Sequence, residues 1–218
     1  MKNIFPINVY VPNLAKRVER KKSISNQFQG RTEFNLFIVS AIEHKIGGFG
    51  LWQTFHKIVT LEKEKNSPFF IFCEDDHIFT PDYSPNYLQR TLLQADSLGA
   101  DILSGGVSWS QSPIQCSQHL FWVNAFTGMQ FTVVFNRFYQ SIIDSPLDEW
   151  NVTDIFISGL SNNIFVMYPF ISIQSEFGYS DVTPKNNNNG FVHELFKKSM
   201  DKFDVLQKVR NVLSQPFV

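Results

Sequence analysis

Residues 69 to 77 constrain this chain more than any other stretch, because an apolar run, Phe-Phe-Ile-Phe-Cys, stops at Glu74, Asp75, Asp76 and His77. A short run of this kind is typical of a strand buried on both faces, and such strands belong to parallel or mixed sheets covered by helices. Ligands of those sheets bind at the carboxyl ends of the strands, which is where the three acids stand. The segment therefore predicts both a sheet and the position of a site.

The three acids also indicate what the site binds. Successive side chains of an extended segment point to opposite faces, so Glu74 and Asp76 share one side, about 7 Å apart at Cα, and Asp75 takes the other. Crowded carboxylates repel one another, which raises their pKa values unless a cation neutralises them. Oxygen ligands suit Mg²⁺ or Mn²⁺, which complete their coordination with substrate phosphates. The alternative is a polar turn in which Asp75 or Asp76 caps the following segment, and these residues alone leave both interpretations open.

Composition sets broad limits on the function. A chain of 218 residues is most simply one domain, and its formal net charge of −1 argues against nucleic-acid binding through overall positive charge. Cys73 and Cys116 form neither a disulfide framework nor a metal-ligand spacing. The N-terminus lacks the apolar stretch of a signal peptide, and no window has 18 consecutive apolar residues. We therefore expect a cytoplasmic protein in a reducing compartment.

Strand-like and helix-like segments alternate along the chain, which predicts an α/β sheet with crossover helices. Strands are predicted over Ile7–Val11, Phe34–Val39, 69–74, 101–103, Gln130–Phe135, Ile164–Tyr168 and Ile171–Gln174. Helices are predicted over Leu14–Phe28 with Asn13 as the N-cap, Phe49–Lys63, Tyr87–Leu98 and Arg137–Ile143. The stretch from Val107 to Gln118 is rich in Ser, Gln and Pro, so we expect a loop there.

Four consecutive asparagines, Asn186 to Asn189, divide the chain into two parts. Residues 1–185 form the main body, and residues 186–218 comprise an Asn-rich linker and a C-terminal amphipathic helix, Phe191 to Leu213. The apolar and basic faces of this helix are compatible with peripheral contact to the inner face of a membrane. Docking on its own domain is the favoured interpretation, since amphipathic helices usually face a core.

Five separated motifs follow one another along the chain. They are Asn13-Leu14 with Arg17, Glu19 and Arg20; the segment Gly47 to His56 that leads into a helix; Glu74-Asp75-Asp76; Gly128 to Phe135 with the helix behind it; and Pro169 through Gln174 to Ser180-Asp181. In this order they resemble the motifs of glycosyltransferase family 25, the lipopolysaccharide-type galactosyltransferases related to collagen galactosyltransferases. Phe55 stands where that family has a serine before its histidine, so the resemblance is to a divergent member.

The resemblance implies a fold and a reaction. The fold would be α/β and GT-A-like, that of nucleotide-diphospho-sugar transferases, with a mixed, mostly parallel sheet flanked by helices and a single catalytic domain over residues 1–185. The reaction would be the metal-dependent, inverting transfer of a hexose, such as galactose, from a nucleotide-sugar. The implied cofactors and partners are Mn²⁺ or Mg²⁺, a UDP-sugar donor, and a glycan or glycolipid acceptor of the lipopolysaccharide type.

The acidic motif and a late histidine are the candidate metal ligands. Asp76 is the first choice as direct ligand. Glu74 or Asp75 is a second ligand or a contact to the ribose hydroxyls of the donor, and the sequence does not divide these two roles between them. His193 follows the asparagines where many GT-A enzymes recruit a late histidine, although an exposed surface histidine is the alternative.

Inversion requires a base that takes the proton from the attacking hydroxyl, and Asp154 is the candidate. The alternative is that Asp154 caps a short helix. Arg17 and Arg20 are candidates for contacts to the nucleotide end of the donor, with a solvated helix face as the alternative. Asp181 is a candidate for a late contact to the donor or to the metal.

Two rival functions stay open on the sequence. One is a catalytically silent carbohydrate-binding protein on the same fold, in which exposed tryptophans stack on sugars. The other is a nucleotidyltransferase, which also uses metal-bound carboxylates, although the chain has no glycine-rich phosphate loop of Walker or G-x-G-x-x-G form.

Overall fold

A sheet of eight strands runs through the part of the chain that the structure, a computed structural model, describes: residues 4–146, 148–149, 152–179, 188 and 190–213. The strands within these residues are β1 (Ile7–Asn13), β2 (Phe34–Ser40), β3 (Phe69–Phe72), β4 (His77–Phe79), β5 (Ile102–Ser104), β6 (Trp109–Gln111), β7 (Ile114–Gln115), β8 (Leu120–Val123), β9 (Ala125–Thr127), β10 (Thr132–Phe135), β11 (Ile164–Met167) and β12 (Ser172–Gln174). The helices are α1 (Val18–Phe28), α2 (Gly47–Glu64), α3 (Pro85–Ser97), α4 (Asn136–Ile143), α5 (Thr153–Gly159) and α6 (Phe191–Leu213).

The strand order of the main sheet is β2-β1-β3-β10-β5-β11-β8-β7. β1 pairs in parallel with β2 and β3, and β5 pairs in parallel with β11. β10 and β8 run against their neighbours, so six of the eight strands share one direction. Two short ribbons, β12-β4 and β6-β9, accompany this sheet. The predicted fold class, a mixed and mostly parallel sheet flanked by helices, is confirmed.

Helices cover both faces of the sheet, because the central strands are apolar on both sides. Phe70 and Phe72 of β3 belong to a core shared with α2, α4, α5 and α6. Ile71 of the same strand, and Cys73 directly after it, belong to a second core shared with α1 and α3. The interpretation of 69–73 as a strand buried on both faces is therefore correct.

Two local predictions are wrong. The first helix begins at Val18, not at Leu14, and Arg17 occupies its N-cap position. Asn13 ends β1, and its side chain bonds to residues across the site instead of capping the helix. The second wrong prediction is the loop from Val107 to Gln118, because this stretch contains the strands β6 and β7. Their pairing partners, β9 and β8, lie later in the chain, so local turn residues do not reveal them.

The C-terminal helix α6 covers the residues for which an amphipathic helix is predicted, and it packs onto the body of the protein. Phe203 is fully buried, with its ring centroid 4.6 Å from that of Phe121 and 5.2 Å from that of Phe170. The Tyr168 hydroxyl donates to the Asp204 carboxylate. The division of the chain at residue 185 stays a prediction, because residues 180–187 lie outside the described ranges. Within those ranges, no helix has the length and apolar character that a membrane span needs.

Candidate functional site

A cleft of about 660 Å³ opens at the edge of the sheet where β1, β2 and β3 end. This is the edge at which open α/β sheets bind ligands, and the volume suits a small-molecule site. Three segments at the ends of these strands contribute to the lining, namely 12–20, 41–51 and 74–76. Five other parts of the chain also contribute, namely 108, 127–129, 152–154, 174 and 191–195.

The chain turns directly after β3, and the turn separates the three acids. Glu74 and Asp76 are half-buried, and Asp75 is only 4% exposed. This matches the predicted alternation of side chains. The Asn13 amide donates to Asp75 Oδ2 across 2.9 Å, and Arg20 Nη1 lies 3.1 Å from Asp75 Oδ1. Asp75 therefore directs its oxygens toward the protein.

Two arginines from the start of α1 reach the acidic motif. Arg20 Nη1 also donates to Asp76 Oδ2 across 3.3 Å, and its Nη2 donates to the Tyr179 carbonyl across 2.7 Å. Arg17 Nη1 lies 3.5 Å from Asp75 Oδ2. The Arg20 guanidinium also stacks on the Tyr179 ring, 4.6 Å from its centroid. These arginines lie at the wall of the cleft, not on a solvated helix face.

Burial and mutual repulsion perturb the two acids that face the cleft. The pKa of Glu74 is raised well above its usual value, by burial first and then by the charges of Asp76 and Asp154. The Gln174 amide opposes this by donating to Glu74 Oε2 across 2.7 Å. Burial raises the pKa of Asp76 to about 6, and the positive charge of Arg20 limits the rise. Such shifts cluster at functional sites, where a bound cation would reverse them.

Asp76 has one oxygen that the described protein leaves unsatisfied. Its Oδ1 atom is buried and has no hydrogen-bond partner there, although a buried carboxylate oxygen without a partner is costly. No group of three or more His, Cys, Asp or Glu side chains converges to hold a metal among the described residues. Mg²⁺ and Mn²⁺ are commonly held by one or two carboxylates together with substrate phosphates. Glu74 and Asp76 fit that mode, and a cage made of protein alone is not seen.

Asp154 also lines the cleft, in the first turn of α5, and lies close enough to Glu74 for its charge to raise the pKa of that carboxyl. Val152, not Asp154, is the N-cap residue of this helix. Asp154 Oδ2 accepts from the Gly128 amide across 2.9 Å, and Oδ1 accepts from the Ile155 amide across 2.8 Å. Burial raises the pKa of the carboxyl, and the two amide bonds limit the rise. A carboxylate has about four acceptor positions, so Asp154 keeps capacity for a ligand hydroxyl.

Gly128 supplies the amide that orients Asp154, and only glycine suits its conformation. Its φ is +100°, and an added Cβ would lie 2.7 Å from Gln130 Oε1. The backbone therefore approaches the carboxylate in a shape that other residues rarely adopt. This backbone conformation explains why the fourth sequence motif begins with a glycine.

Two predicted site residues, His193 and Asp181, remain, and the one within the described residues, His193, does not line the cleft. His193 is exposed on the first turn of α6, whereas Val192 and Leu195 of that turn line the cleft. Asp181 lies outside the described residues. His77 is buried, with Nδ1 2.7 Å from Ser172 Oγ, and burial lowers its pKa to about 3, so it serves the core.

The structure adds residues to which sequence reasoning gave no role. Asn13 fixes Asp75, and Gln174 fixes Glu74. Both residues belong to the motifs that resemble glycosyltransferase family 25. The sequence therefore marked these two positions but did not indicate what their side chains contact. Three basic or titratable side chains, Lys16, His44 and Lys45, also line the cleft. Nothing local in the sequence marks these three, because they reach the cleft only through the loops after β1 and β2.

Comparison with known proteins identifies the fold but not the family. No family model matches the sequence, and no curated protein matches it. Among solved structures, A197 from STIV matches with a TM-score of 0.57 at 13% identity, over 80% of this chain and 86% of that chain. At this identity the similarity shows a shared fold.

Two further matches are more distant. UDP-glucose pyrophosphorylase complexed with UDP-glucose has a TM-score of 0.45 at 10% identity, over 91% of this chain and 98% of that chain. A glycosyltransferase involved in the glycosylation of the major capsid of PBCV-1 has a TM-score of 0.36 at 7% identity, over 62% and 63%. TM-scores this low identify neither family nor activity, and these two structures do not show membership of glycosyltransferase family 25.

Proposed function

We propose that this chain is a metal-dependent glycosyltransferase that moves a hexose, such as galactose, from a UDP-sugar to a glycan acceptor with inversion. The observation that carries the proposal is the buried Asp76 Oδ1, which has no hydrogen-bond partner among the described residues and stands beside Glu74 at the carboxyl edge of the sheet. A stable fold rarely leaves such an atom unsatisfied unless a ligand completes it. The ligand proposed is the metal ion of a donor complex.

The donor diphosphate needs cations, and the cleft provides them in two places. Arg17 and Arg20 stand beside the acidic motif, and Lys16 and Lys45 lie across the loops after β1 and β2. Arginine suits phosphate oxygens because its guanidinium offers several donors in a fixed plane. When bound, Mn²⁺ or Mg²⁺ supplies Lewis-acid stabilisation of the charge on the departing nucleotide diphosphate. Asp76 and Glu74 would hold it.

Asp154 is the proposed base. It lines the same cleft as the arginines and the acidic motif, so an acceptor hydroxyl that enters the cleft can reach it. The raised pKa of this carboxyl brings it closer to neutral pH, which favours proton removal. The amides of Gly128 and Ile155 hold the carboxylate in place while it accepts the proton.

The acceptor class is a surface glycan or glycolipid, and α6 supplies the supporting observation. Val205, Val209 and Val212 recur at helical spacing on its exposed side, with Lys202 and Lys208 among them. An apolar stripe bordered by lysines suits the surface of an anionic membrane, where a lipid-linked acceptor is found. Co-sedimentation with phosphatidylglycerol vesicles tests this contact, and a Val209→Asp variant that sediments equally well would contradict it.

A thermal-shift screen of nucleotide-sugars, with Mn²⁺ or with EDTA, tests the proposed function. A donor that binds the folded protein raises the unfolding temperature. We expect one UDP-sugar to do so in Mn²⁺ only, and to release free sugar slowly when water replaces the acceptor. A carbohydrate-binding protein would show no release. A nucleotidyltransferase would instead form the nucleotide-sugar from UTP and a sugar 1-phosphate.

A further inference from the structure

Trp109 is a large aromatic side chain left open to solvent beside the cleft. It is 46% exposed, whereas Trp52 is fully buried. Ser108, its neighbour in the chain, lines the cleft, and so does Thr127, which pairs directly with Trp109 across the β6-β9 ribbon. Side chains of a directly opposed pair lie on the same face, about 5 Å apart at Cβ. Trp109 therefore shares a face with a residue of the cleft wall.

The face that carries Trp109 is the outer face of the ribbon. Ser110 and Phe126, which alternate with Trp109 and Thr127, are buried against the core. Trp109 thus has no place in that core, and its exposure follows from the strand register. A single exposed hydrophobic residue is normal on a protein surface and needs no explanation by itself. A binding role for Trp109 must therefore be argued from its position and from the residues around it.

The residues near Trp109 belong to the part of the cleft that carries Asp154. Gly128, the residue after Thr127, donates its amide to Asp154. Val152 and Ile155, which flank Asp154 in the chain, are 55% and 43% exposed, and Val152 lines the cleft. Exposed apolar side chains therefore lie next to the proposed base in the chain, and one of them lines the cleft with it.

We propose that Trp109 is the platform of the acceptor subsite, on which a pyranose ring of the glycan acceptor stacks so that one hydroxyl reaches Asp154. This inference rests on the proposed function. A pyranose has an apolar C–H face and a polar edge, and the site offers both kinds of partner: the indole face, and the hydroxyls of Ser108 and Thr127, which lie 2.9 Å apart. Binding sites of mainly apolar surface with a few placed polar groups have this character.

The test uses the full chain labelled with 5-fluorotryptophan and followed by ¹⁹F NMR, with Trp109→Phe to assign the Trp109 signal. The probes are the methyl glycosides of galactose, glucose, mannose and N-acetylglucosamine, added without nucleotide. We expect at least one glycoside to shift the Trp109 signal while the signals of buried Trp52 and of Trp122, whose Nε1 donates to the Asn162 carbonyl, stay in place. Trp109→Ala should weaken that glycoside's binding by about tenfold, as expected for the loss of one aromatic face.

Ile114→Ala is the matched control, because Ile114 is also an exposed apolar residue of a short strand, whereas its paired residue, Trp122, does not line the cleft. It should bind the glycosides as the unmodified chain does. A Trp109 signal that no glycoside moves would overturn the inference, and so would equal weakening by both variants. Failure of the proposed function is seen separately, as UDP binding that ignores Mn²⁺, because the glycoside titration contains no nucleotide.

Discussion

The Asn13 side chain donates to Asp75 Oδ2 across 2.9 Å and so joins the end of β1 to the turn after β3. Arg20 contacts the other oxygen of the same carboxylate, and Arg17 lies 3.5 Å from Oδ2. Protein groups thus surround Asp75, whereas Asp76 keeps a buried oxygen that they leave unsatisfied. Adjacent carboxylates therefore have different surroundings, and we infer that Asp75 positions the two arginines.

Asp75→Asn should destabilise the protein by about 2–4 kcal/mol, because it removes the negative charge that two buried cations share. Urea unfolding followed by circular dichroism measures this. Glu43→Gln, which breaks an exposed pair with Lys16, should cost less than about 1 kcal/mol. Equal effects of the two substitutions would mean that Asp75 has no positioning role.

Gln174→Ala should shift metal-dependent UDP binding to higher pH. The Gln174 amide stabilises the ionised form of Glu74, so its loss raises the pKa of that carboxyl further. Metal binding needs the ionised form, and a higher pH is then required to reach it. Calorimetric titration at a series of pH values gives the midpoint. Gln111→Ala, a change on the exposed β6, should leave the midpoint where it is, and an unmoved midpoint in both variants would contradict the role of Gln174.

Asp154→Asn should lower the transfer rate by about 10²–10⁴-fold, the usual contribution of a general base. The asparagine oxygen can still accept from the Gly128 amide, and only the exposed bond from the Ile155 amide is lost, so the fold should be retained. Donor binding should stay close to that of the unmodified chain. Asp144→Asn, on an acid after α4 that does not line the cleft, is the matched control. Transfer that survives in Asp154→Asn would place the base elsewhere.

Phe203→Ala should destabilise the protein by about 3–5 kcal/mol, because the ring is fully buried against Phe121, Tyr168 and Phe170. Thermal unfolding should remain a single transition if α6 is part of the main core. Val209→Ala, at a half-exposed position of the same helix, should change the unfolding free energy by less than about 0.5 kcal/mol. A second, earlier transition in the unmodified chain would instead favour the predicted division near residue 185.

The fold class could be predicted from the sequence because the strongest patterns of apolar and polar residues are local. The run Phe69–Phe72 is buried on both faces, and helices α2 and α4 begin within two residues of their predicted starts. β6 and β9 could not be predicted in the same way, because three-residue strands gain their stability from each other and not from local pattern.

The site was predictable in part for the same reason. Glu74 and Asp76 face the cleft as alternation along a strand predicts. The engagement of Asp75 by Asn13 and Arg20 depends on how β1 and α1 meet β3, and sequence spacing does not contain that distance. The position of Trp109 beside the cleft likewise could not be predicted, because it depends on the pairing of Trp109 with Thr127 across the ribbon.

Asp76→Asn should raise the free energy of unfolding relative to that of the unmodified chain, and this gain should be larger at neutral pH than at acid pH. The folded-state pKa of about 6 lies above that of an unfolded aspartate, about 3.9, so the folded protein binds more protons between these values. The unmodified chain therefore loses stability as the pH rises from about 4 to 6, by an amount on the order of 2 kcal/mol. The variant lacks this loss, and the difference in unfolding free energy should be larger at pH 7 than at pH 4.

Calorimetric titration of UDP into the unmodified chain and into Asp76→Asn, each with Mn²⁺ and with EDTA, tests the central claim most directly. We predict binding in the unmodified chain that depends on Mn²⁺, and loss of that dependence in a variant that folds normally. Equal UDP affinity with and without Mn²⁺ in the unmodified chain would contradict the assignment of the acidic turn as the metal and diphosphate site.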